Sequence, residues 1–198
     1  MRYDILTKTI SAKIVYYGMG LSGKTTNIEK VHELLPEGLQ KSKLIKLDTT
    51  SERTVFFDFM AANAGRISGW DVRTHLYTIP GQKHHKYSRQ NILDDVDALV
   101  LVADSQRAVW KDNLEARQEL EGFLLEKGKN LKEMPYVLQL NKRDLPTVVS
   151  IEEMSELLQF KDEPVLEACA ITGEGVMQTL REVNRSLFNK IKAEAMRR

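Results

Sequence analysis

The eight residues Gly18-Met19-Gly20-Leu21-Ser22-Gly23-Lys24-Thr25 satisfy the pattern G-x-x-x-x-G-K-[ST] in full. They lie between an apolar run at residues 13–17 (KIVYY) and an amphipathic stretch at residues 24–34, which Pro36 and Gly38 close. That context dictates a strand, a loop and a helix in succession. Glycines permit positive φ and a close approach of backbone to phosphate oxygens. The loop N–H groups and the helix N-terminus then form an anion-binding nest. In this geometry Lys24 reaches the β- and γ-phosphates and the Thr25 hydroxyl coordinates Mg²⁺, with Gly18, Gly20, Leu21, Ser22, Gly23 and Thr26 completing the cradle. A glycine-rich turn that merely caps a helix is the competing reading, and the full match in this context favours the phosphate loop.

The rest of the chain alternates short apolar runs with longer amphipathic stretches. Strands are expected at residues 44–47, 54–60 and 72–78, with a turn at residues 63–69 (NAGRISG). The runs at 98–103 (ALVLVA) and 136–140 (YVLQL) are continuous, as inner strands covered on both faces require. Helices are expected at 110–127, 151–160 and 176–195, and a short strand at 165–168. Strand alternating with helix predicts an α/β fold, a mostly parallel, doubly wound sheet flanked by helices, with ligands at the carboxyl ends of the strands.

A phosphate loop alone binds nucleotides generically, so the base must be read elsewhere. Asn141-Lys142-Arg143-Asp144 follows the run YVLQL. An aspartate held there accepts two hydrogen bonds from guanine, from its ring N–H and its exocyclic amine. Adenine lacks both donors, and a buried acceptor left unpaired is expensive. Asn141 would brace the pocket and the stem of Lys142 would cover the base. Further on, Cys169, Ala170 and Ile171 follow the last short strand, where the Ala170 N–H is placed to donate to the guanine carbonyl.

The segments KIVYYGMGLSGKTTN, RTVFFDF, HLYTIPGQ, VLQLNKRDLP and EACAITGEGV resemble the Ras-like small GTPases, and within them the bacterial MglA gliding and polarity GTPases. The likeness covers nearly the whole chain and implies one P-loop NTPase unit, a Ras-like G domain spanning residues 1–198. It implies Thr25 and Thr54 as Mg²⁺ ligands, Gln82 as the residue that orients the attacking water, and Gly81 as a γ-phosphate sensor. It also implies Arg53 as an arginine finger supplied in cis, which residue chemistry alone would read as a loop arginine pairing with Glu52. Partners implied are GTP and GDP, polarity or motility effectors bound through switches I and II, and a roadblock-domain activating protein.

Two departures stand out. Thr78-Ile79-Pro80-Gly81 replaces the usual D-x-x-G, removing a carboxylate that normally holds Mg²⁺ through water; the MglA group shares this threonine. Asp58 is a candidate to supply a compensating carboxylate behind the metal's ligands, though a structural strand aspartate is the stronger reading. Residues 83–87 (KHHKY) are polar and basic where MglA relatives start apolar or aromatic, which argues against the familiar mode of roadblock binding. The paired histidines there lack the cysteine or carboxylate company of a metal site.

Composition narrows the remaining classes. A net charge of +1 demands neither nucleic acid nor anionic membrane as partner. One cysteine excludes an internal disulfide. No stretch approaches the ~20 apolar residues of a membrane span, and the tail carries no cysteine to prenylate. The expectation is an unanchored cytoplasmic monomer, recruited in its polarity role to a cell pole. The reading is a slow GTP-hydrolysing switch. Against a metabolic P-loop kinase stand NKRD, Gln82 and the lack of an arginine-rich lid; against a polar-scaffold pseudo-GTPase stand Lys24, Thr25, Thr54 and Gln82.

Overall fold

The computed structural model describes residues 1–36, 45–49, 53–79 and 90–196, and of these it describes residues 45–49 and 53–63 by their backbone alone. The described strands are β1 (Arg2–Asp4), β2 (Thr9–Tyr17), β3 (Ile45–Thr49), β4 (Arg53–Ile67), β5 (Trp70–Thr78), β6 (Ala98–Asp104), β7 (Tyr136–Asn141) and β8 (Val165–Glu167). The described helices are α1 (Lys24–Leu34), α2 (Trp110–Glu126), α3 (Ile151–Leu158) and α4 (Val176–Met196).

All eight strands join one sheet, in the order β3-β4-β5-β2-β6-β7-β8, with β1 paired to the lower part of β2. β5, β2, β6, β7 and β8 run parallel, and β4 and β3 extend the sheet antiparallel beyond β5. This is the mostly parallel sheet flanked by helices that the alternation predicts. β2 is central, with β5 paired to it on one side and β6 on the other. A crevice at the carboxyl end of such a strand is where doubly wound folds place a ligand.

Period-two side-chain alternation splits the interior into two layers. Ile10, Ala12, Ile14 and Tyr16 of β2, with Ala98, Val100 and Val102 of β6, pack against Ile28 and Val31 of α1 and the α4 stripe Val176, Leu180, Val183, Leu187 and Ile191. The alternate residues Val15, Tyr17, Leu99, Leu101 and Ala103 face Leu120, Phe123 and Leu124 of α2 and Met154 and Leu158 of α3. Burial, with no partner for its hydroxyl among the described residues, pushes the Tyr16 phenol up, so it stays neutral in the core.

The largest difference from the sequence reading lies in β4. The turn expected over residues 63–69 shrinks to Ser68-Gly69, both at positive φ (48° and 82°), and β4 runs on to Ile67. The earlier small residues serve a different purpose. Pairing with β5 shifts register between Ala61 and Gly65, and a Cβ on Gly65 would stand 3.3 Å from the Phe188 ring of α4. Glycine there admits a bulge and a close-packed helix, without ending the strand. The β1 hairpin is an addition. Its turn is locked by the Asp4 carboxylate, which accepts from the N–H groups of Leu6 (3.0 Å) and Thr7 (3.2 Å) and leaves Ile5 and Leu6 exposed at the apex. Beside it, Tyr3, Ile10, Ile67, Trp70 and Ile191 line a cavity of about 220 Å³, at the end of β2 away from the glycine-rich loop.

Candidate functional site

The carboxyl ends of the five parallel strands deliver the predicted residues to one edge of the sheet. Gly18–Gly23 follow β2, Thr78 ends β5, Asp104 ends β6, Asn141 ends β7, and Cys169-Ala170-Ile171 follow β8. Thr78 is buried and pairs with Tyr16, one residue below the end of β2.

The loop after β2 takes the conformation its glycines allow. Gly18, Leu21 and Gly23 have φ of 151°, 63° and 96°. A Cβ on Gly18 would lie 2.3 Å from the Val102 carbonyl oxygen, and one on Gly23 2.2 Å from Asn141 Nδ2, so neither position has room for a side chain. The Lys24 side chain is buried and donates to the carbonyls of Gly18 (3.1 Å) and Met19 (2.6 Å), which carries its ammonium back across the loop. Helix α1 starts at Lys24 with no side-chain cap and no acidic residue in its first turn. Its leading N–H groups and positive dipole end are therefore left for an anion. Thr25 and Thr26 are half-buried in that first turn, and the Ser22 hydroxyl beneath the loop is buried without a partner among the described residues.

Asn141 joins this loop to the opposite wall. Its Nδ2 donates to the Ser22 carbonyl (2.8 Å) and its Oδ1 accepts from the Ala170 N–H (2.9 Å). The Ala170 N–H, expected from the sequence to face a guanine carbonyl, is thus engaged by Asn141 here. Cys169 is buried and Ile171 exposed, with the Cys169 carbonyl accepting from the Gly173 N–H (3.0 Å) and the Thr172 hydroxyl (3.1 Å). Asp144 is exposed in the turn after β7, and among the described residues its carboxylate has no partner.

Asp104, Glu167 and Asn113, all outside the motif, shape this turn. Asp104 is buried at 2 % exposure, and its Oδ2 lies 2.6 Å from Lys142 Nζ. Lys142 sits at φ 65°, so its ammonium is tied down at one end and its backbone turned at the other. Arg143 clamps the turn to the last strand through Glu167 (2.9 Å) and donates to the Val149 carbonyl (2.6 Å). Asn113 holds Asp104 in place by exchanging two hydrogen bonds with its backbone (2.9 and 2.7 Å). An aspartate closing the run ALVLVAD was the only signal for this group in the sequence.

The remaining predicted residues fall at the limits of what is described. The backbone places Arg53 and Thr54 at the start of β4, opposite Thr49 and Asp48 of β3, while their side chains, and that of Asp58, lie outside the description. Gly81, Gln82 and residues 83–87 lie outside the described residues. Among the described residues no group of three or more His, Cys, Asp or Glu is placed to hold a metal ion.

Comparison with known proteins decides the family. The sequence model of the ADP-ribosylation factor family matches residues 3–187. The chain belongs to that family. It is 44% identical over 186 residues to the mutual gliding-motility protein MglA of Myxococcus xanthus strain DK1622, covering 94% of this chain and 95% of that protein. It is also similar to ADP-ribosylation factor-like protein 2 of Drosophila melanogaster, 26% identical over 153 residues, or 69% of this chain and 81% of that one. The chain is therefore an MglA-type Ras-like GTPase, and its mostly parallel sheet flanked by helices is that of a P-loop, Ras-like fold. No helix among the described residues is long and apolar enough to cross a membrane.

Proposed function

We propose that this GTPase selects GTP over ATP through Asp144, hydrolyses it slowly unless a partner intervenes, and presents its two nucleotide states to effectors of cell polarity or motility. The observation that carries the reading is one arrangement. An uncapped helix N-terminus with a buried lysine is joined through Asn141 to a turn that exposes the Asp144 carboxylate. The motility role is carried over from the likeness to the mutual gliding-motility protein of Myxococcus xanthus. The whole chain acts as one G domain, with partners reading switches I and II.

Phosphoryl transfer asks for little covalent chemistry and much positioning. Lys24 and the N–H groups of residues 20–26 take the phosphates. Lys142, tied to Asp104, lays its stem across the base, and Asp144 accepts from the guanine N–H groups. Gln82 orients the water, the Gly81 N–H senses the γ-phosphate, and Arg53 brings a planar guanidinium to the charge that builds on the equatorial oxygens. Mg²⁺, when bound, neutralises phosphate charge. The residues fit that ion: Thr25 offers a hydroxyl at the open helix end, and Mg²⁺ draws its other oxygens largely from water and phosphate, so a carboxylate cluster is not required. Thr54 is the second protein ligand, and Thr78 in place of a carboxylate slows unaided turnover.

Displacement of a fluorescent GDP by GTP and by ATP tests the base site. ATP should compete at least ~1,000-fold more weakly, and Asp144→Ala should narrow that gap; equal competition by the two nucleotides would end the assignment. Single-turnover hydrolysis by wild type and Gln82→Ala tests the chemistry. Equal rates would remove Gln82 from it, and negligible hydrolysis by the wild type would leave a nucleotide-dependent scaffold.

A further inference from the structure

Among the described residues, the largely apolar layer between the sheet and α1/α4 encloses three fully buried amide and hydroxyl side chains from three different elements, Asn27 of α1, Gln139 of β7 and Thr179 of α4. They touch one another. Gln139 Nε2 spends both hydrogens, on Asn27 Oδ1 (2.9 Å) and on Thr179 Oγ1 (2.8 Å). Asn27 Nδ2 goes on to the Gly23 carbonyl (3.0 Å), and the Thr179 hydroxyl to the Gly175 carbonyl (2.9 Å). The relay therefore ends on the last glycine of the phosphate loop and on the glycine that opens α4.

Gly175 is itself fixed to the base-side loop. A Cβ there would fall 2.1 Å from the Glu167 carbonyl oxygen, and the Cys169 N–H donates to the neighbouring Glu174 carbonyl (3.0 Å). Gln139 and Asn141 are alternate residues of β7 and so point to the same face. Asn141 ties Ser22 to Ala170; one step below, Gln139 ties Gly23 to Gly175 through its two partners. The same pair of loops is fastened twice, at two depths.

We propose that Gln139 is a positioning residue, which through Asn27 and Thr179 sets the spacing between the phosphate loop and the guanine loop and thereby slows nucleotide release. This rests on the reading that those loops hold the two ends of a guanine nucleotide. Folding alone does not call for the relay. The Gln139 Oε1 is buried with no partner among the described residues, so the amide's two bonds are offset by one orphaned acceptor. Apolar residues of similar volume at all three positions would fill the space without that penalty. What leucine cannot do is register two loops that meet one ligand at opposite ends, where small misplacements carry large functional costs.

The test follows release of fluorescent GDP from wild type, Gln139→Leu, Thr179→Val and the double variant, with Leu187→Ala as a control buried in the same layer but remote from the site. Thermal midpoints in saturating GDP are measured alongside. Gln139→Leu should speed release roughly tenfold or more, Thr179→Val by less, and the double variant no further than Gln139→Leu, since the relay is already cut. Leu187→Ala should lower the midpoint most and leave release unchanged. The proposal is overturned if the relay variants release GDP at the wild-type rate, or if release simply tracks the midpoint across all variants. Should Gln139→Leu fail to fold, Thr179→Val, which preserves volume, decides by the same criterion. A wild type that binds no guanine nucleotide would overturn the underlying reading, an outcome distinct from normal binding with unchanged release.

Discussion

Gly23 lies where the phosphate loop meets Asn141 of the base turn, and three constraints meet on it: φ of 96°, a 2.2 Å approach to Asn141 Nδ2 by any added Cβ, and a carbonyl that accepts from both the N–H and the Nδ2 of Asn27. Gly23→Ala must either abandon the left-handed backbone or push Asn141 off Ser22. It should weaken GDP binding by at least ~10-fold while the far end of the sheet stays intact, as titration calorimetry and circular dichroism would register. The motif that contains Gly23 is contiguous, so its geometry was legible in the sequence. The Asp104–Lys142 pair was not, because it spans two strands and an aspartate ending an apolar run has many uses. The relay was fainter still. Its one trace was a glutamine inside YVLQL, where period two demands a buried side chain; its partners lie 112 and 40 residues away.

At the scale of elements, the helices were read most closely. α1 spans Lys24–Leu34, as expected, because glycine before it and proline after it bound it on both sides. α3 ends at Leu158, two residues short of the expected bound, and Gln159 turns extended. Its start is fixed by Ser150, whose hydroxyl accepts from the Glu153 N–H (3.1 Å). Ser150→Ala should cost about 1 kcal/mol in urea unfolding and leave GDP affinity unchanged, since α3 packs on the opposite side of the sheet from the relay. Strands misread where small residues had two meanings. NAGRISG looks like a turn, yet only Ser68 and Gly69 reverse the chain. The glycine at 65 answers to Phe188, over a hundred residues later, and no local pattern carries that information.

For the molecule as a whole, two apolar layers divided by a sheet leave the proposed nucleotide site at the sheet's edge, where the ends of β2, β6, β7 and β8 lie side by side. Binding there should stabilise the fold as a unit. GDP at a hundred times its Kd adds about 2.7 kcal/mol, which for a domain of this size raises the thermal midpoint by about 5–10 °C. ATP at the same concentration should leave it unmoved, a comparison that scanning fluorimetry makes directly. The opposite end of the sheet is marked by the β1 hairpin, whose apex residue Leu6 is 97% exposed. It lies the length of β2 from the phosphate loop, about 30 Å at the usual rise per residue. The native thiol, Cys169, is buried. Leu6→Cys would therefore create one accessible point of attachment, and a chain tethered to a sensor surface by that point would stand with its nucleotide mouth facing the flow, every copy oriented alike.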